Sequence, residues 1–486
     1  MAIPKLAMIP SGYKEGKVYS VLPTNGDGDF TFSRGSSATR VNKDGLIETI
    51  TLELGEELVT NGSFDTDSDW TKGSGWTISG GKATKSGSDL AYLTQSSLVS
   101  VVGKTYKVTA SITNVTAGNI RIDGFTAGGT ITSDTEVNVI YTATATNPLR
   151  ILGWNGFNGS IDNVSVKEVL SGYDTPRLDY SDSSCPSLLL EPQSTNLITY
   201  SEDFSQWSAL NNVVVTDNFI TSPDGTQNAA KLVFDGTASG RIELSVSASG
   251  TNTQSIYLKT ESGTQNVSIG AGSVDLTQFT ITDQWVRYTN TGGGDFPRIL
   301  CNDSATIYVY GAQLEALSYP TSYIPTNGAV ATRLADVCNS AGTSDTFNDS
   351  EGVLYAEISA LADDLTYRCI SISDGSGSNK ISLNYNNSSN NLWVYIVSGN
   401  SGQVNLITPI NVAQYNKIAL KYKQNDFALW VNGTEVSTDT SVLTPIGLSE
   451  LNFNFTGSLP FYGNVKDVRY YNTALTEQEL TDLTQV

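Results

Sequence analysis

Histidine is absent from the 486-residue chain. That removes the commonest general base, the Ser-His-Asp and Cys-His arrangements, and His-ligated metal sites. Cysteine is scarce. Cys185, Cys301, Cys338 and Cys369 lie far apart with no C-x-x-C pair, so they read as free, mostly buried thiols. They form neither a zinc site nor a disulfide framework. Basic residues are few: Lys+Arg 28 against Asp+Glu 49 leaves a net charge of −21. A surface this acidic repels phosphate backbones, and no basic cluster offsets it, so no nucleic-acid partner is expected. No apolar run approaches the roughly 18 residues of a spanning helix, so no membrane insertion is expected either. The opening "MAIPKLAMIPSGYK" lacks a sustained apolar region. It does not read as a secretory signal, which fits a product made in the cytoplasm.

What remains is β-sheet texture. Thr, Ser, Val, Ile and Tyr dominate, and 44 glycines with many Asn/Asp clusters punctuate short apolar runs. This spacing predicts sandwiches rather than parallel α/β folds. In "KTYKVTASIT" (104–113) Tyr106, Val108, Ala110 and Ile112 share one face, and in "TQSIYLKT" (253–260) Ile256 and Leu258 alternate with polar neighbours. Helical spacing is confined to the end, where Thr476 and Glu479 form a capping box ahead of Leu480 and Leu483. One signature occurs twice: "LVTNGSFDTDSDW" (58–70) and "LITYSEDFSQW" (197–207). Each is followed by a paired-strand signal and closed by a strand with a carboxylate, "SIDNVSVKEV" (160–169) or "TIYVYGAQLE" (306–315). Repetition at this length predicts tandem domains rather than a solenoid. Trp70 and Trp207, present in both copies, read as core.

Three resemblances follow from these segments. "ELVTNGSFD" and "SIDNVSVKEV" resemble the ends of carbohydrate-binding modules of the family 4/9 type, which implies a β-jelly roll over 52–170. "NKIALKYKQNDFALWVNGTEV" (416–436) and "FYGNVKDVRYYNTALTEQEL" (461–480) resemble the laminin-G-like, concanavalin A-type lectin sandwich, which implies such a domain over 326–486. "FTFSRGSSATRVNKDGLIET" (30–49), "PRLDY" (176–180) and "CPSLLLEPQSTNLITYSEDFSQW" (185–207) resemble segments of tailed-phage head or tail fibre and spike proteins. In that family "GLIET" and "PRLDY" are near neighbours, so 52–170 reads as an inserted domain. The expected organisation is all-β: a 1–51 attachment and oligomerisation segment, the inserted jelly roll, a 171–194 connector, a second jelly roll at 195–325, and the lectin-like sandwich with its short terminal helix. Residues 1–51 are too short and Gly-rich for a core of their own and are expected to gain order by pairing with another chain or with a larger assembly.

The resemblance implies a structural protein on a virion surface, homotrimeric, held to capsid or tail proteins by its N-terminal segment and binding host-surface or environmental glycans. Candidate glycan contacts are Trp76, Trp154 and Phe157 in the first module, which could instead be loop anchors. In the last they are Trp393, Tyr395 and Trp430, whose alternation predicts an outer-face position open to a sugar or a neighbouring subunit. Asp65 and Asp162 are candidate ligands for a structural calcium; "DTDSD" fails the EF-hand pattern, since Trp70 and Trp76 stand where Gly and Glu are needed. No catalytic residue is assigned and no enzyme is expected. The rival is a polysaccharide depolymerase or glycosidase with accessory binding modules, using carboxylates such as Glu357 with Asp363 or Asp364. Among 49 acidic residues such pairs arise by chance.

Overall fold

A computed structural model describes residues 2–272 and 275–486. It is all-β apart from the short helix Glu477–Thr484 and one 3-10 turn, Phe204–Gln206. The chain divides into two compact units, one formed by Thr51–Gly172 and the other by the flanking residues up to Ile50 and from Tyr173 onward.

The Thr51–Gly172 unit is a two-layer sandwich built on two long strands, Thr105–Asp123 and Pro148–Ser171. Their outer halves pair in one layer, in the order Thr135–Thr142, Thr105–Asp123, Pro148–Ser171, Ala83–Lys85, Trp76–Ile78. Their other halves pair again in the second layer, beside Ala91–Val99 and Thr71–Lys72. Each strand therefore bends from one sheet into the other. At the bend the pairing shifts around Ala117, and Gly118, Asn155 and Gly156 take left-handed conformations at φ 72°, 53° and 71°. Tyr106, Val108, Ala110 and Ile112 all face the core, as their alternation implies.

Within the other unit, residues 195–325 form a second sandwich of two five-stranded sheets. Its first sheet runs Val286–Gly293, Thr251–Thr260, Ser304–Glu315, Ala229–Asp235, Val214–Ile220. Its second runs Ser208–Leu210, Gly240–Glu243, Arg298–Cys301, Gln265–Gly270, Thr277–Ile281. The order of the first layer matches that of the first sandwich, and each long strand is here split in two; Thr277–Ile281 corresponds there only to an isolated Ile120–Ile131 bridge, and Glu53–Glu57 has no counterpart here. The repeated signatures are superposable in their chemistry. Phe64–Trp70 and Phe204–Trp207 ring centroids are both 5.3 Å apart, tilted by 43° and 40°. Each Trp is buried, and each indole donates to a backbone carbonyl upstream, Asn61 at 3.0 Å and Tyr200 at 2.9 Å. Both tryptophans are core residues.

The lectin-like sandwich packs an eight-stranded sheet on a five-stranded one. The N-terminal residues pack on the rest of this chain, where pairing with another chain or a larger assembly was expected: residues 6–32 enter the core of this sandwich, and Ile47 packs on Ala229, Tyr310 and Tyr323 of the second one. Leu6–Met8 adds to Gly463–Tyr471, Phe30–Ser33 adds to Val337–Asn339, and Leu6, Met8, Val18, Phe30 and Phe32 are buried in the lectin core. The segment has too little apolar surface for its own core but enough to complete a neighbouring one. The connector contributes Ser187–Leu190 to the same sheet.

The segments 30–49, 176–180 and 185–207 converge, with Arg333 and Asp336, on one buried ionic network. Arg34 pairs with Asp336 at 3.2 Å, Arg333 with Glu191 at 2.9 Å, and Arg177 bridges Glu191 and Asp336. Ser322 donates to Glu191 through both its backbone N–H at 2.7 Å and its hydroxyl at 2.6 Å. Burial pushes the Glu191 carboxyl up, but the Arg333 and Arg177 guanidiniums and Ser322 outweigh it and hold the group at about 2. The "GLIET" hairpin, Ala38–Val41 with Ile47–Ile50, stays joined to "PRLDY": Tyr180 N–H donates to the Val41 carbonyl at 3.0 Å, and Val41 N–H to Asp179 at 2.8 Å.

Candidate functional site

The outer face of the five-stranded lectin sheet gathers the aromatic and amide chemistry. In strand Asn391–Ser398, Leu392, Val394 and Ile396 enter the core, leaving Trp393 and Tyr395 on the other face. The preceding strand, Lys380–Tyr385, buries Ile381, Leu383 and Tyr385 and turns Lys380, Ser382 and Asn384 to that same face. Register then sets Asn384 beside Trp393 and Ser382 beside Tyr395, with Ile407 and Asn405 on the far side.

The Trp393 and Tyr395 rings stack at 5.3 Å and 27°, and Tyr367 meets Trp393 edge-on at 6.0 Å. The Trp393 indole donates to Asn405 Oδ1 at 2.8 Å, which fixes the ring plane. Asn384 Nδ2 donates to the Trp393 carbonyl at 3.0 Å and to Ser382 Oγ at 3.1 Å, while its buried Oδ1 has no partner. Lys380 closes one side, its Nζ 3.4 Å from the Phe455 ring centroid and 5.3 Å from that of Tyr395. Burial holds the Lys380 pKa below the ordinary lysine value. Flat aromatic surface beside the exposed, fixed Asn405 amide suits a ligand with an apolar C–H face and a ring of hydroxyls.

The other candidates are placed differently. Trp430 does face outward from its strand, as alternation implies, but it is buried against Leu475, Leu480 and Leu483 of the terminal helix region. That helix carries the expected capping box at Thr476 and Glu479, and it covers the face that sugar or subunit would need. Trp76 and Phe157 are core residues 6.5 Å apart, the Trp76 indole donating to the Ala91 carbonyl at 3.1 Å. They offer a ligand no face. Trp154 is half-buried with the Arg121 guanidinium 5.5 Å from its ring centre. Asp65 accepts from Ser63 at 2.7 Å and Asp162 from Asn163 N–H at 2.6 Å. Among the described residues no group of three or more carboxylates or thiols converges. The two carboxylates thus stand apart from any such cluster. Asp364 is paired with Arg368 at 2.7 Å and Asp363 accepts from Ser389 and Asn390, while Glu357 stands mid-strand opposite Asp467.

Sequence reasoning missed Asn384, Ser382, Lys380 and Tyr367. The signal for the first three was available: "KISLNY" alternates in step with "NLWVYIV" one hairpin later.

Residues 355–481 match the family model Laminin_G_3, the concanavalin A-like lectin/glucanases superfamily. They form the lectin-like sandwich described above. No curated protein matches the sequence. Among solved structures, the chain is similar to the CBM40 of the Ruminococcus gnavus IT-sialidase bound to alpha2,3 sialyllactose, at 16% identity over 30% of this chain and 93% of that one, with a TM-score of 0.26. It is similar to domain 4 of AbnA, a GH43 extracellular arabinanase from Geobacillus stearothermophilus in complex with arabinotriose, at 16% identity over 34% and 81%, TM-score 0.26. It is also similar to the NanB sialidase from Streptococcus pneumoniae, at 17% identity over 29% of this chain and 25% of that one, TM-score 0.25.

Proposed function

We propose that this chain is a carbohydrate-binding display protein of a tailed-phage particle, a homotrimeric head or tail fibre or spike made in the bacterial host cytoplasm. It binds host-surface glycans and does not cleave them. The observation that carries the reading is the stacked Trp393–Tyr395 pair beside the exposed Asn405 amide. A sugar ring lies its C–H face on the indole and meets the exposed Asn405 amide with a hydroxyl. Weak sites of this kind gain strength from multiple copies on one particle. The particle reading is supported by the fibre-like segments, which join in one buried ionic frame around Arg177.

The test is a glycan array probed with the full chain and with Trp393→Ala. The expected result is a defined set of bound glycans whose retention falls roughly tenfold, about 1.4 kcal/mol, in the variant. Absence of any bound glycan overturns the binding reading, and a monomer by solution mass overturns the trimer. Release of reducing sugar, abolished by one Asp or Glu substitution, favours the depolymerase rival.

A further inference from the structure

Outside the lectin sheet, the strongest unassigned surface lies on the second sandwich. Strand Val214–Ile220 pairs regularly with Ala229–Asp235 up to Thr216, then skips to Ile220 opposite Ala229. The bulge between them puts Asn218 at φ 53° and is pinned from both sides: Asp217 accepts from Phe204 N–H at 3.0 Å and Ser205 N–H at 3.1 Å, and Gln227 donates to the Asn218 carbonyl at 3.0 Å. Bulges re-aim side chains. This one presents Phe219, 45% exposed, stacked on Tyr308 at 6.0 Å and 14°.

Two lysines flank the stack. Lys231 and Lys259 stand directly opposite Tyr308 on its two neighbouring strands. Two strand spacings separate their backbones, about 10 Å. The Lys231 ammonium is 4.6 Å from the Phe219 centroid, and that of Lys259 is 5.7 Å from Tyr308 and 5.6 Å from Trp285. Trp285 extends the aromatic row and is fixed by donating to the Thr221 carbonyl at 3.2 Å. Ion pairs of this sandwich join Arg241 and Arg298 to Glu243; among the described residues neither Lys231 nor Lys259 has one. Glu261, reached by the Tyr308 hydroxyl at 3.4 Å, is a carboxylate at the rim, and Asp217 lies in the bulge, turned to the Phe204 and Ser205 amides.

In a chain of net charge −21, two ammoniums without ion pairs around an exposed aromatic stand out. We propose that this strip binds an acidic polysaccharide, a sugar ring lying on Phe219 with carboxylates on the same strand meeting Lys231 and Lys259. The aromatic supplies the sugar-stacking surface and the lysines the charge selection. At physiological salt the remaining acidic surface is screened beyond about 8 Å, so the two ammoniums govern contact. A nucleic-acid strand is the competing polyanion, and oligo(dT) tests it. The proposal deepens the carbohydrate reading and rests on it for ligand class, but uses a site independent of the lectin sheet.

The experiment is affinity electrophoresis of the full chain through gels containing alginate, polygalacturonate or neutral dextran, with labelled oligo(dT) as competitor. Retention by the two polyuronates is expected, weakened at least tenfold in Phe219→Ala and lost in the Lys231→Gln, Lys259→Gln double variant. Unchanged melting by circular dichroism checks the fold of each. Trp393→Ala is expected to keep polyuronate retention. No polyuronate retention by the full chain overturns the proposal, as does retention surviving in the double variant or displacement by oligo(dT). Retention lost in Trp393→Ala but kept in Phe219→Ala overturns this site while leaving the lectin-sheet reading intact. Polyuronate retention by the strip, with no glycan bound at Trp393, fails the lectin sheet alone.

Discussion

The two sandwiches share the strand order of their first layer and one Phe–Trp anchor, yet they solve the passage between sheets differently. In residues 51–172 the two central strands run unbroken through both layers and bend at Gly118, Asn155 and Gly156. In residues 195–325 the same passages are interrupted, by Glu261–Thr264 on one strand and Asn302–Asp303 on the other. A continuous strand keeps its ladder but needs backbone that only a few residues tolerate. A broken one gives up hydrogen bonds in the gap and tolerates almost any polar loop.

The sharpest way to break the comparison is at the bend. A Cβ on Gly118, at φ 72°, would lie 2.2 Å from the Phe157 backbone nitrogen. Gly118→Ala is expected to cost about 4 kcal/mol or more, abolishing the calorimetric transition of residues 51–172 and sparing the other unit. Next come the anchors. Trp70→Ala and Trp207→Ala are each expected to lose about 3 kcal/mol, in separate transitions, since each removes a buried ring and strands a carbonyl. Equal losses would make the two signatures energetically one device; a twofold difference would show that the equivalence stops at geometry.

Acid separates the units further. Glu191, shifted from 4.5 to about 2, contributes stability that is fully present above pH 4.5 and is lost as pH falls through about 2. Ion pairs of the 51–172 sandwich, Lys72–Asp67, Lys104–Glu168 and Arg121–Asp123, all involve partly exposed side chains, which contribute little. Melting between pH 5 and pH 2 should therefore lower the transition of the network-bearing unit more steeply, and Glu191→Gln should flatten that slope from a lower starting point. The smallest effect belongs to Gly263, at φ 67° with open space around its missing Cβ. Gly263→Ala is expected to cost only about 1 kcal/mol, from backbone strain alone, by the same calorimetry.

How much of this was legible depends on the range of the interaction. Two-residue alternation placed Trp393 and Tyr395 on the outer face of their strand, because that pattern is local. It placed Trp430 outward equally well, but nothing local says that a helix some fifty residues on lies over it. "GWNGFNGS" looks like an exposed loop by composition; its Asn and Gly instead bend a continuous strand, turning Phe157 into the core. The ionic network was invisible, since Arg34, Arg177, Glu191, Arg333 and Asp336 are scattered charges until the fold assembles them. The residue types of the Phe219 strip were plain, but their juxtaposition depends on a bulge with no sequence marker beyond Asn218.

The hairpin ending at Ile50 and the strand beginning at Arg177 hold each other through Val41, Asp179 and Tyr180, whatever the chain does between them. Closure entropy grows only logarithmically with the length of the excursion, roughly 0.6 kcal/mol for each doubling. Recombination at this junction could thus replace one independently folding cassette with another of different size at almost no thermodynamic penalty. The frame on either side of the junction is closed by its own hydrogen bonds, so its integrity does not depend on what the excursion contains.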